Sequence, residues 1–164
     1  MKKYKVMMPL FCILSIVLLF HPIAVRAGDF DGLKRVKAVW DVTVDNGESF
    51  ENKLALIKHT ADTLRKRGVR PIFVVALNGP AAKFAAKTLG GTRYAGEKIE
   101  NLSDIQEKMK ELHTSGVVFM TCKISLKQGK IEESALLPFV RIGENVLANI
   151  AALQNKGYAY MPVR

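Results

Sequence analysis

Hydrophobic residues follow two spacings along this chain. Apolar runs rich in β-branched and aromatic residues at 37–44, 70–77 and 117–122 predict buried strands. Between 50 and 67, Phe50, Leu54, Ile57, Ala61 and Leu64 recur every three or four positions, which predicts an amphipathic helix with these residues on its buried face. A helix over 103–115 has the same spacing, and Gly116 follows its end.

Turn residues and short motifs place further elements. Pro80 predicts a short helix over 81–89. The sequence Ser103-Asp-Ile-Gln106 has the spacing of a capping box, in which both side chains satisfy N–H groups at a helix start. The later segments predict a short helix over 130–137, an edge strand over 139–142, a closing helix with Val146, Leu147, Ile150 and Leu153 on its buried stripe, and a final extended segment over 158–161.

Strands that alternate with helices require crossover connections, which are almost always right-handed. The pattern therefore predicts an α/β fold: a mainly parallel sheet of about five strands with helices on both faces. In such sheets, ligands and chemistry collect at the carboxyl ends of the strands.

Residues 1–27 have the parts of a secretory signal peptide. Three lysines precede an apolar run over 6–20, and the small residues Val25 and Ala27 occupy the positions expected before a cleavage site. An uncleaved membrane anchor is the alternative, because Arg26 is unusual next to a cleavage site. Residues 28–164 have the length of a single domain.

If the predicted signal peptide is excluded, the net charge and the number of cysteines in the remaining domain both change. Four cations and no acidic residue lie in 1–27, so six of the ten net positive charges remain in 28–164. These charges are spread over the predicted helices without an arginine-rich stripe, which argues against nucleic acid as a partner. Cys12 lies in the apolar run, which leaves Cys122 as the one cysteine of 28–164.

Cys122 falls where a strand turns into a helix-compatible segment. Unpaired N–H groups at a helix start and the neighbouring Lys123 both favour a thiolate over a thiol. Two other interpretations stay open. A free cysteine is often a small buried hydrophobe, and a lone cysteine in an exported protein can also form a disulfide between chains.

Three loops are predicted at the carboxyl edge of the sheet, at 45–47, 78–80 and 121–123. Their polar side chains could donate hydrogen bonds to a sulfur anion, although Asn-Gly sequences are also ordinary turn chemistry. The candidate binding residues are Asn46, Asn78, Gly79, Thr121 and Lys123.

Other chemistries lack their motifs. The sequence has no zinc-ligand spacing, glycine-rich phosphate loop, Gly-x-Ser-x-Gly elbow or Cys-x-x-Cys pair. His59 and His113 are both expected on helix surfaces, so neither is a predicted base for Cys122. We therefore expect no metal and no cofactor.

The sequence Gly116-Val-Val-Phe-Met-Thr-Cys122-Lys-Ile-Ser-Leu126 resembles the cysteine region of the DsrE/DsrF-like family. The likeness continues through 129–131 to Leu136-Leu-Pro138, and 153–160 resembles the C-terminus of exported members. It covers roughly residues 36–161, with the order of the motifs more specific than any one of them.

This resemblance implies an α/β/α sandwich that assembles into trimers or hexamers, with Tyr158, Tyr160 and Met161 as candidate interface residues. It also implies sulfur relay, in which Cys122 accepts a sulfane sulfur as a persulfide from a donor protein or small sulfur compound and passes it to a partner thiol. The export signal places that activity in the periplasm, with membrane contact only through the signal peptide before cleavage. The alternative function is a non-catalytic oligomeric binding or scaffold subunit in which Cys122 is buried and inert.

Overall fold

Five parallel strands form the centre of the described part of the protein. The structure is a computed structural model that describes residues 28–164, so the predicted signal peptide at 1–27 lies outside the described residues. The strands are β1 (Arg35–Val42), β2 (Arg70–Leu77), β3 (Val118–Cys122), β4 (Val140–Gly143) and β5 (Ala159–Val163). The helices are α1 (Gly47–Lys66), α2 (Leu102–Thr114), α3 (Lys123–Gly129) and α4 (Val146–Asn155), with 3₁₀ turns at Gly79–Ala85 and Glu133–Ala135.

The strand order β4-β3-β2-β1-β5 explains the layering. The first three crossovers all step from β1 toward β4, and right-handed connections in one direction place α1, α2 and α3 on one face. The last crossover returns from β4 to β5 beyond β1, which places α4 on the opposite face. The predicted three-layer α/β fold is therefore confirmed.

Residues Gly32–Arg164 make one compact unit, whose buried core comes entirely from residues within it. Residues 28–31 belong to a separate unit, where the Asp31 N–H donates to the Gly28 carbonyl at 2.8 Å. No helix between residues 28 and 164 is long and apolar enough to cross a bilayer.

Helix α1 follows its hydrophobic pattern. Its buried residues are Phe50, Leu54, Ile57, Ala61 and Leu64, which is the predicted face. The helix begins after Asn46, whose side chain accepts a hydrogen bond from the Ser49 N–H at 2.7 Å. After the helix, Gly68 adopts a φ of 73°, a conformation that costs a residue with a side chain more than it costs glycine.

Two predicted short helices are confirmed only in part, and for one shared reason. The segments predicted as helices over 81–89 and 130–137 form only 3₁₀ turns, and each then continues into extended backbone. Ala86 and Leu136 form an antiparallel bridge, flanked by hydrogen bonds from the Lys87 N–H to the Ala135 carbonyl and from the Leu137 N–H to the Ala85 carbonyl, both 2.8 Å long. Pairing between distant segments thus replaces the local helical hydrogen bonds.

The predicted capping box is also wrong. The residue before α2 is Asn101, two residues earlier than the predicted cap Ser103, and its side chain makes no capping hydrogen bond. Gln106 instead donates from its amide nitrogen to the carbonyls of Ala86 and Lys87, at 2.9 and 3.2 Å. In α4, Val146 and Ile150 are buried as predicted, but Leu147 is 61% exposed.

Candidate functional site

Cys122 ends β3 and is the residue that precedes α3. Its backbone is extended, with φ of −86° and ψ of 124°, and the first helical residue is Lys123. The cysteine therefore occupies the carboxyl edge of the sheet at a strand-to-helix turn, as the sequence predicted. In β4 its register partner is Gly143, so α4 begins close by at Val146.

Two helices begin beside Cys122, α3 at the next residue and α4 at Val146. The Cys122 side chain makes no capping hydrogen bond, but the N–H groups of Val146, Ser125 and Ile124 act to lower the pKa of its thiol. Asn145 accepts hydrogen bonds from the next two N–H groups of α4, at 3.0 and 3.4 Å. The Val146 N–H is thus left for the cysteine.

These groups set the pKa of the thiol. Burial acts to raise the pKa of Cys122, but the hydrogen-bonding N–H groups of Val146, Ser125 and Ile124, together with the Ser125 side chain, outweigh burial and hold the pKa below its usual value. The site therefore favours the thiolate, which is the nucleophilic form of cysteine.

Ser125 joins the cysteine turn to the loop after β2. Its hydroxyl oxygen accepts a hydrogen bond from the Gly79 N–H at 2.9 Å, and its hydroxyl faces the Asn78 side-chain oxygen at 3.4 Å. The structure thus brings the predicted residues Asn78 and Gly79 to the cysteine turn through a serine that the sequence analysis did not select. A signal was present, since position 125 is three residues past the helix cap, where a side chain reaches back toward the capping residue.

The other predicted site residues have different surroundings. Thr121 is buried, and because successive strand residues face opposite sides, its side chain lies across the sheet from Cys122, where its hydroxyl is 3.5 Å from the Leu77 carbonyl. Asn46 caps α1 and lines a separate groove of about 530 Å³ with Lys83 and Glu97.

Lys123 does not direct its charge at the sulfur. Its ammonium lies 3.4 Å from a Glu144 oxygen and 3.6 Å from a Glu133 oxygen. The hydrogen bond to Glu144 and the charges of both carboxylates raise the pKa of Lys123, whereas Lys123 is not among the groups that lower the pKa of Cys122. Peptide N–H groups therefore favour the thiolate, in place of the lysine charge that the sequence suggested.

Apolar packing surrounds the cysteine on its other sides. Cys122 is 4% exposed and packs with residues of β1, β2 and α4, namely Val39, Val74, Ala76, Val146 and Ile150. Two large apolar side chains next to the site are exposed, Ile124 at 49% and Leu147 at 61%. A groove of about 430 Å³ beside α3 has the carboxylates of Glu132, Glu133 and Glu144 in its lining.

The histidines lie away from the cysteine. His59 is exposed on α1, and the His113 ring stacks on Phe139 with 5.0 Å between centroids. The His113 Nδ1 atom is 3.3 Å from the carbonyl of Val117, at the start of the segment that leads into β3. Among residues 28–164, no cluster of His, Cys, Asp or Glu could hold a metal ion.

The candidate interface residues lie at the other edge of the sheet. Tyr160 and Met161 are exposed on the edge strand β5, whereas Tyr158 is partly buried against the cluster around Cys122. The Tyr160 hydroxyl donates to a carboxylate oxygen of the buried Asp41 at 2.8 Å, which ties β5 to β1. The predicted role of these residues in assembly stays a prediction.

Comparisons with known proteins agree with the fold. A protein of unknown function from Methanobacterium thermoautotrophicum (MTH1491) superposes with a TM-score of 0.59 at 18% identity, over 78% of this chain and 97% of that one. An uncharacterized protein from Aquifex aeolicus (strain VF5) is 30% identical over 128 residues, or 77% of this chain. The match spans 56% of that relative's length. The DsrE/DsrF-like family matches residues 43–163, which include Cys122, Ser125 and Val146, and the chain therefore belongs to this family.

Proposed function

We propose that this protein is an exported, periplasmic sulfur carrier that holds sulfane sulfur as a persulfide on Cys122. The observation that carries the proposal is the position of Cys122 at the end of β3 and the start of α3, where the N–H groups of Val146, Ser125 and Ile124 lower the pKa of its thiol. Such groups stabilise a thiolate before the reaction and an anionic persulfide after it. Membership of the DsrE/DsrF-like family supports sulfur relay as the general activity.

Loading requires a donor with a sulfane sulfur, such as thiosulfate or a polysulfide. With thiosulfate, the Cys122 thiolate attacks the outer sulfur, a new S–S bond forms on the cysteine, and the S–S bond of thiosulfate breaks. Sulfite leaves with the electron pair of the broken bond, and the persulfide keeps one negative charge. A thiolate on a partner then attacks the terminal sulfur and regenerates the Cys122 thiolate.

Access to the sulfur requires a shift of the side chains that cover it, because Cys122 is 4% exposed. A small donor needs a smaller shift than a protein thiol does. The exposed Ile124 and Leu147 next to the site offer apolar contact to a partner protein that accepts the sulfur.

The burial of Cys122 also favours a second function. The cysteine belongs to an apolar cluster with Val146 and Ile150, which is how inert structural cysteines are packed. In that case the protein is a binding or scaffold subunit, and the N–H groups around the sulfur serve only as ordinary helix starts.

The alkylation rate of Cys122 separates these functions. If the protein is a carrier, iodoacetamide modifies native residues 28–164, and the rate rises with pH to a plateau at a lower pH than for free cysteine, because the pKa of Cys122 is lowered. Mass spectrometry of quenched samples measures that rate. A thiol that reacts only in urea would contradict the carrier function and favour the scaffold function.

A further inference from the structure

Positive charge gathers at the amino-terminal edge of the sheet, opposite the cysteine edge. The basic edge consists of Lys34, Arg35, Arg65, Lys66 and Arg70, all exposed. Arg35 and Arg70 are register partners in β1 and β2, and the Arg70 N–H donates to the Lys34 carbonyl at 3.0 Å. Arg65 and Arg70 line one groove of about 430 Å³. Residues far apart in sequence thus form one surface, which the spread of charge along the chain did not suggest.

Most of this charge is unbalanced. Arg65 pairs with Asp62 at 3.0 Å, but within residues 28–164 the other four cations of the basic edge form no ion pair. The last-turn position of Arg65 and Lys66 in α1 is explained by the helix dipole. That explanation does not extend to Lys34, Arg35 and Arg70, which precede or begin strands. Two arginines side by side repel each other, so this surface is suited to an external anion.

The grooves at the opposite edge contain more carboxylates than cations. Glu132, Glu133 and Glu144 line the groove beside α3 together with Lys123 and Lys127, and four carboxylates line the groove at the start of α1 together with Lys83 and Lys98. Each eight-residue strand in the middle of the sheet spans about 26 Å, so the two charged edges lie at that separation. In the described part of the molecule, the basic edge therefore lies opposite two grooves with an excess of carboxylates, and Cys122 lies at the edge that has these grooves.

We propose that the basic edge docks on the surface of a bilayer that contains anionic phospholipids, which leaves the Cys122 edge facing away from the membrane. Lys34 follows residue 27 by seven residues, at most about 25 Å of extended chain, so the basic edge comes directly after the segment predicted to engage the membrane during export. Leu33 beside Lys34 is an exposed apolar side chain that suits the interfacial region of a bilayer.

Vesicle co-sedimentation tests this proposal with residues 28–164, the part of the chain that follows the predicted signal peptide. We expect binding to phosphatidylcholine vesicles that contain phosphatidylglycerol, no binding to phosphatidylcholine alone, and release at high salt. The double variant Arg35→Gln/Arg70→Gln should lower partitioning roughly 25-fold, because each cation at the surface contributes about a fivefold effect. The control Lys98→Gln/Lys127→Gln removes the same charge from other exposed sites and should bind like the unchanged protein.

A second double variant, Lys34→Gln/Lys66→Gln, should show the same loss of vesicle partitioning. The same loss in both variants would show that the effect does not come from misfolding of the arginine variant. Equal losses in the control would show that net charge alone matters, and would overturn the docking surface. Equal binding to phosphatidylcholine vesicles with and without phosphatidylglycerol would also overturn the docking surface. Saturable binding of inorganic phosphate or duplex DNA to the basic edge, without binding to phosphatidylglycerol vesicles, would assign the surface to a different anion and reject the membrane.

Discussion

Replacement of Phe84 by alanine should destabilise the protein by about 3–5 kcal/mol, the cost of removing a fully buried aromatic side chain. Phe84 has no exposed surface, and its ring stacks on Phe50 with centroids 4.3 Å apart. It belongs to the 3₁₀ turn Gly79–Ala85, which has no long helix to support it and is held by this contact. The expected loss is a large part of the 5–15 kcal/mol that typically separates the folded from the unfolded state of a domain.

Chemical denaturation in urea, followed by circular dichroism, measures this change. The control is Leu147→Ala, which removes an exposed apolar side chain and should change the free energy of unfolding by about 0.5 kcal/mol or less. A loss below about 1 kcal/mol for Phe84→Ala would contradict the claim that contact between the Phe84 and Phe50 rings holds the 3₁₀ turn in place.

Removal of the Ser125 hydroxyl should make Cys122 less reactive. Without this group, the pKa of Cys122 rises toward its usual value, and a smaller fraction of the protein carries a thiolate at neutral pH. We expect Ser125→Ala to slow alkylation at neutral pH roughly three- to tenfold, the effect of a single hydrogen bond worth about 1 kcal/mol. At high pH, where both proteins are fully ionised, the rates should converge.

The pH profile separates this effect from simple loss of structure. Ser125→Thr keeps the hydroxyl and should restore the profile, while Ser134→Ala removes an exposed hydroxyl and should leave it unchanged. If Ser125→Ala lowers stability but leaves the profile in place, Ser125 only links α3 to the Asn78–Gly79 loop. The thiolate would then owe its stability to the peptide N–H groups alone.

The hydrophobic pattern predicted the layers of this fold because burial is a periodic property of sequence. Strand β2 has the predicted bounds, and the buried face of α1 was predicted residue by residue. The pattern failed where long-range pairing decides the structure. The bridge between Ala86 and Leu136 joins segments 50 residues apart, and nothing local in either segment indicates its partner.

The candidate site was also predictable only in part, because some of its contacts depend on packing between distant segments. The position of Cys122 at a strand end follows from local pattern, but the approach of Val146 follows from how β4 and α4 pack. The sequence suggested Lys123 as the source of positive charge because the two residues are adjacent. In the structure, the Lys123 ammonium instead pairs with the carboxylates of Glu133 and Glu144, which follow Lys123 by 10 and 21 residues in sequence.

Intact mass spectrometry after exposure to thiosulfate or polysulfide tests the central claim most directly. Residues 28–164 contain one cysteine, so any persulfide that forms on them is on Cys122. The account predicts added mass of one sulfur atom that disappears on reduction and is absent from Cys122→Ala. An unchanged mass in protein whose thiol is confirmed as reduced would contradict the carrier function and favour a buried, inert cysteine.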